Sequence, residues 1–260
     1  MKQKASKKHL NRIWKKTLYH LDRITILRNQ EDIHQFRVNI KKIRAILTLF
    51  SQTPKNKDLL SYLKPVKKIF KQAGKIREAD IHLQMAKEHH FKLPRFTREQ
   101  QELMYTELHD FCMNKKRFKK VLKRSKKAID KNLFSTPTKD MIKFYQSQLN
   151  QITLILAKRQ FNKKMHDCRK QIKNLLYSYK VAEEPIAKKI RLNQPYLDQL
   201  QEKLGQWHDA VLSLQLFSGL RLNADILLNI KTEIEKKQQI ILSKSENFWI
   251  NAIGKNNLNK

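Results

Sequence analysis

His34-Gln-Phe-Arg37-Val-Asn-Ile-Lys41-Lys-Ile-Arg44 divides, at about 100° per residue, into three faces of a helix. Phe36, Ile40, Ile43, Leu47 and Phe50 form an apolar stripe. Gln35, Asn39, Lys42 and Ile46 lie beside it on a mostly polar face suited to water. His34, Arg37, Lys41 and Arg44 fall roughly opposite that polar face, between the apolar stripe and Val38, Ala45 and Leu49. A soluble helix sends its charges away from the core, so this pattern predicts a basic stripe that points inward. Unpaired charge is costly there, and a partner, water or a bound anion must compensate it. The competing reading is a solvated face whose long stems snorkel outward.

A second copy decides between the two. His166-Asp-Cys-Arg169-Lys-Gln-Ile-Lys173 repeats the His, Arg, Ile and Lys positions 132 residues on, since 166 − 34 = 132. Cys168, Ile172, Leu175 and Tyr179 make its apolar stripe, and Asp167, Gln171, Asn174 and Ser178 its polar face. His166, Arg169, Lys173 and Lys180 make its basic one. Further on, Val66-Lys-Lys-Ile69-Phe-Lys-Gln-Ala73-Gly74-Lys-Ile-Arg77-Glu78-Ala79 aligns with Leu197-Asp-Gln-Leu200-Gln-Glu-Lys-Leu204-Gly205-Gln-Trp-His208-Asp209-Ala210. The offset there is 205 − 74 = 131. Two motifs recurring in order point to an internal duplication.

The rest of the chain reads as helices. Residues from about 3 to 28 place Leu10, Ile13, Trp14, Leu18 and Leu21 at helical spacing. Asn29 and Asp32 signal a break before the quoted helix, which Thr53-Pro54 ends. The next helix begins at an Asp58 cap, is disturbed by Pro65 and is expected to close at Gly74. A short one follows from Lys75 to about His90, Pro94 marks a turn, and Thr97 with Gln100 opens a long helix to about Lys131. Ser135-Thr136-Pro137 is the internal boundary, dividing 1–134 from 135–260. Helices are then expected to about Gln160, from Lys163 to Val181, and from Asn193 with an interruption at Gly205 and an end at Gly219. A linker at Glu183-Glu184-Pro185 precedes that last pair, and a final helix capped by Asn223 runs to about Ile250, before a polar tail from Gly254. No segment reads as a strand, so the fold class is all-α.

Fifty-six Lys and Arg against 23 acids leave a formal charge of +33, with only 4 Gly and 6 Pro. That excess opposes compaction and calls for polyanionic partners: nucleic acid, an anionic membrane or a phosphate polymer. Cys112 and Cys168 provide neither a disulfide framework nor metal-ligand spacing, and Cys168 sits on an apolar stripe as a core residue. The Lys-rich opening lacks a secretory apolar region, and no apolar run is long enough to span a bilayer. A soluble, cytoplasmic protein is expected.

His-x-x-Arg-x-x-x-Lys with a further basic position, then Gly-x-x-Arg-Asp/Glu-x-Asp, in tandem over nearly the whole chain, resembles the CHAD domain, the conserved histidine α-helical domain. The resemblance implies two pseudo-symmetric antiparallel helical bundles around a basic central cavity or groove that binds inorganic polyphosphate, with no cofactor, and suggests association with polyphosphate granules. It places anion contacts at His34, Arg37, Lys41 and Arg44, and at His166, Arg169 and Lys173. Arg77, His208, Lys71 and Lys75 join them through their closeness to the glycine motif. Lys64 and Lys68 on the same stripe as Lys71 read as a solvated face. Leu176 stands where the first copy has Arg44, and His208-Asp209-Ala210-Val211 lacks the Arg and final acid of Arg77-Glu78-Ala79-Asp80, so the first copy is the fuller. The Glu-x-Glu-x-Lys signature of the triphosphate-tunnel domain, to which some members are fused, is absent.

A phosphate polymer has charge and oxygen acceptors but no base edges, which suits forked Arg donors and compact Lys charges in a line. His34 and His166, beside several cations, should resist protonation until an anion arrives, so binding should tighten at mildly acidic pH. One rival is nucleic-acid binding by bulk charge, although few aromatics interleave the basic stripes. The other is a metal-dependent phosphohydrolase. Glu78, Asp80 and Asp209 recur near the basic motif, but they better suit orienting Arg77 and His208 than holding a metal.

Overall fold

The computed structural model describes residues 3–220 and 224–253. Among them are ten α-helices, two short 3-10 segments and no strand. The chain divides into two compact units, Met1–Thr136 and Pro137–Lys260.

The first unit is built on α1 (Gln3–Leu27) and α2 (Gln30–Phe50), which pack against each other. Leu10, Ile13, Trp14, Leu21 and Ile24 of α1 meet a core that Ile33, Phe36, Ile43, Leu47 and Phe50 enter from α2. The Asn29 side chain caps α2 by accepting from the Glu31 amide at 2.7 Å, which satisfies one of the unpaired donors of its first turn. Asp32, only 4% exposed, is compensated across the pair by His20 Nδ1 at 2.8 Å and Arg23 Nε at 3.0 Å. Two 3-10 segments, Pro54–Asn56 and Leu59–Leu63, lead to α3 (Val66–Glu88). Next come α4 (Pro94–Met113), packed on α3, and α5 (Lys115–Asn132), packed on α1. The Asn56 amide closes the unit by exchanging hydrogen bonds with the Phe134 backbone, at 3.1 Å and 2.9 Å.

The second unit packs α6 (Thr138–Ala157) on α7 (Lys163–Ile186), α7 on α8 (Gln194–Phe217), and α8 on α9 (Ala224–Ser245). A short α10 (Phe248–Ile253) rests on α6 and α8. Asn193 caps α8 by accepting from the Tyr196 amide, and its own amide donates to the Ala252 carbonyl at 2.8 Å. The Tyr179 hydroxyl donates to Ile190 O and accepts from the Leu192 amide, which ties the α7–α8 loop to the core.

Several boundaries differ from the sequence reading. Gly74 and Gly205 do not break helices: both lie inside continuous ones, α3 and α8. Pro94 sits in the first turn of α4 rather than in a turn before it, because a missing amide proton costs nothing there. The long helix expected to Lys131 breaks at Asn114, with no Gly or Pro to announce it. The expected linker at 183–185 is helical, with Pro185 inside the last turn of α7. Asp58 makes no capping bond. The last helix breaks at Asn247, which takes φ 52°. Asn223 and the tail from Gly254 lie outside the described residues.

The polar face of α2 is not the wet one, and that of α7 is mixed, with Asn174 exposed and Ser178 buried. Asn39 is 2% exposed and Ile46 fully buried, and Ser178 is buried with its hydroxyl 2.8 Å from that of Tyr145. The basic stripe of α2 is its open side instead: His34 and Arg37 are half-buried, Lys41 and Arg44 exposed. A helical wheel gives angles only, and α1 packs on the side that looked suited to water.

Candidate functional site

Arg37 does not lie free along its stripe. Its guanidinium crosses onto α3, donates from Nη1 to the Phe70 carbonyl at 2.7 Å, and stacks over the Phe70 ring at 4.3 Å from the centroid. That crossing explains Gly74. A Cβ there would sit 2.6 Å from Arg37 Nη1, closer than atoms can pack, so a residue with no side chain lets the arginine reach the helix backbone. In the second unit Arg169 Nε donates to the Gln201 carbonyl at 3.3 Å, and a Cβ on Gly205 would lie 2.8 Å from Nε and 2.9 Å from Nη2. In both units the acceptor is the carbonyl four residues before the glycine. The His-x-x-Arg and Gly-x-x-Arg/His motifs are thus two halves of one contact between neighbouring helices.

Around this contact the first unit opens a cleft of about 370 Å³. Ile40, Leu60, Leu63, Val66 and Phe70 line its apolar part; Lys41 and Arg44 from α2, and Lys64, Lys67 and Lys71 from the 3-10 segment and α3, line the rest. Those five cations face one space with no carboxylate among the lining residues. Lys64, set aside in the sequence reading, and Lys67, never singled out, belong here. The cleft lies between α2 and the Leu59–Leu63 segment, which no single-helix wheel displays. Lys75 stays apart from it, exposed and paired with Glu107 of α4. Arg77 is half-buried and paired with Asp80, which also accepts from Gln84. Burial holds the Arg37 pKa below its ordinary value, with Glu78 opposing and Arg77 adding to the shift.

The second unit gathers His166, Arg169 and Lys173 on α7 against His208 on α8. The two imidazoles stack at 3.6 Å between centroids, 31° from parallel, and His166 Nδ1 is buried without a hydrogen-bond partner. Burial and the repulsion of His208, Lys170 and Arg169 outweigh Asp167 and push His166 down to about 4. His208 is also lowered, chiefly by burial. Burial and then Arg169 lower Lys173, against Asp198 and Asp209. Those two acids give this copy a negative contribution that the first cleft lacks. Lys180 is exposed on the outer turn of α7. Cys168 is a core thiol pushed up to about 12 by burial. Among the described residues no group of three or more His, Cys, Asp or Glu is placed to hold a metal, and no helix is long and apolar enough to cross a membrane.

The His166 depression sets a pH dependence of stability. The folded state binds fewer protons than the unfolded state between about pH 6.5 and 4, so stability falls as pH drops through that window. After allowance for partial solvent screening the loss is on the order of 2 kcal/mol. His166→Phe keeps a ring against His208 and removes the charge. In urea unfolding at pH 7 and 4.5, the variant should lose less stability than the wild type; equal losses would place the acid sensitivity elsewhere.

A family model described as the CHAD domain matches residues 8–218. Among solved structures, the crystal structure of the CHAD domain from the plant Ricinus communis is similar in fold, with a TM-score of 0.64 at 15% sequence identity, covering 94% of this chain and 86% of that chain. No curated protein matches the sequence.

Proposed function

Since the chain belongs to the CHAD family, we propose that it binds inorganic polyphosphate without catalysis, through the α2–α3 cleft and, more weakly, through the α7–α8 cations. The observation that carries this reading is the convergence of Lys41, Arg44, Lys64, Lys67 and Lys71 on one cleft with no carboxylate among its lining residues. Such a cleft is electrostatically incomplete without an anion, and a chain of phosphates supplies repeated charge to a line of side chains. His34 and Arg37 share α2 with Lys41 and Arg44, and Arg77 shares α3 with Lys67 and Lys71; Arg37 mainly holds the two helices in place. His166, Arg169, Lys173 and His208 form the second contact surface. Lys75, engaged with Glu107, makes the smallest contribution.

The pairing of Asp80 with Arg77 supports an orienting role for that acid and disfavours the phosphohydrolase reading. Binding an anion to the folded state raises its stability by RT ln(1 + L/Kd) at free ligand concentration L, so at a fixed concentration the tighter ligand gives the larger shift. Thermal shifts with orthophosphate, triphosphate, long polyphosphate and duplex DNA at equal phosphate concentration test the proposal. The shift should grow with polyphosphate chain length and fall steeply with added salt. Equal shifts for all four would sink the claim that the cleft selects a phosphate polymer.

A further inference from the structure

Helix α5 carries ten cations in eighteen residues against one acid, Asp130. Its inner side is ordinary core: Phe118, Leu122 and Ile129 are buried. Lys115 and Lys119 are paired with Asp22 of α1, and Lys126 with Asp130. Seven cations remain, all of them exposed, Arg117 and Lys131 among them. Lys116, Lys120, Lys123, Arg124 and Lys127 are all exposed and lie within an arc of about 100°, over about 16 Å of helix. With Lys119 they form one open surface patch that contains no apolar residue and no acid.

The fold does not require these charges. All five side chains are exposed, and among the described residues none of them enters an ion pair. Like charges three and four residues apart on one helix oppose its formation. A surface that bears that opposition without a structural return is a binding surface.

We propose that the outer face of α5 docks duplex nucleic acid through its phosphate backbone, independently of the α2–α3 cleft. Each property of the face narrows the partner. An interfacial membrane helix needs exposed apolar side chains beside its cations, and this arc has none. A single-strand platform needs aromatic faces, and the one aromatic of the helix, Phe118, is 3% exposed. A thread of polyphosphate touches one row of a convex face, whereas in the α2–α3 cleft cations reach it from two sides. A duplex offers two phosphate rows across a groove about 12 Å wide, comparable to a helix of 10–12 Å diameter, and so meets the full arc. Lysines dominate the arc, and Lys is a point charge suited to the backbone rather than to reading bases. Recognition is therefore independent of sequence.

The test replaces Lys116, Lys120, Lys123, Arg124 and Lys127 together by Gln, which keeps helix propensity close to that of Lys. Anisotropy titrations use a short fluorescent DNA duplex and, in parallel, long polyphosphate, over a range of salt. Duplex affinity should fall at least thirtyfold at about 0.1 M salt, and the salt slope should flatten by about 4. Polyphosphate affinity should stay within threefold. A control with five scattered exposed lysines replaced (Lys158→Gln, Lys164→Gln, Lys188→Gln, Lys231→Gln and Lys236→Gln) removes the same charge and should change duplex affinity less than threefold. If the fivefold variant folds poorly, Lys120→Gln with Lys127→Gln should still cost about tenfold. Duplex affinity unchanged by the α5 variants, an equal loss in the scattered control, or a parallel loss of polyphosphate binding would each overturn the proposal.

Discussion

Replacing Lys41, Arg44 and Lys71 together by Ala should lower polyphosphate affinity about a hundredfold at 0.1 M salt, the counterion-release contribution of three phosphate contacts on a single-stranded polyanion. All three are exposed and line the same cleft, so the loss should come with an unchanged or slightly higher melting temperature, because mutual repulsion is relieved. Replacing Lys64 and Lys67, the two other cations of the cleft, should cost nearly as much per residue. Arg37 is a poor choice for this experiment, since its guanidinium already bonds to the Phe70 carbonyl and its loss would disturb how α2 sits on α3. The readout is a salt series: the slope of log affinity against log salt should flatten by about 2. A loss under threefold with an unchanged slope would mean that the cleft is not where the polymer lies.

Gly205→Val should destabilise the second unit by about 1.5 kcal/mol, because the Arg169 guanidinium, half-buried, must swing off the Gln201 carbonyl. Valine is the better helix former of the two, so propensity alone predicts the opposite sign. The discriminating measurement is a double-mutant cycle. In an Arg169→Ala background, Gly205→Val should be neutral or slightly stabilising, since the overlap is gone and the propensity gain is left. If the cost is the same with and without the arginine, the glycine serves something other than its approach.

Helix identity was legible because apolar spacing recurs over long stretches. The pairing of the two basic segments was legible because His, Arg and Lys recur at one offset. What stayed hidden depends on neighbours. Gly74 and Gly205 looked like helix ends because glycine usually is one; their reason lies on the adjacent helix, in an arginine 37 or 36 residues earlier in the chain. Asn39 and Ser178 looked wet because they are polar, yet both lie in the core. Lys67 went unnoticed because its partners Lys41 and Arg44 are on another helix. The break at Asn114 has no Gly or Pro to mark it; the asparagine ends α4 by donating its amide and its side chain to the Asp110 carbonyl.

The arginine-over-glycine contact has an evolutionary consequence. Neither position is informative by itself: without the arginine, helix propensity favours replacing the glycine with alanine, and without the glycine the arginine has no backbone to reach. The two should therefore be inherited as one character. A lineage that loses Arg37 is released to lose Gly74, while Arg169 and Gly205 drift or persist on their own, so the two halves of the chain can diverge at different rates.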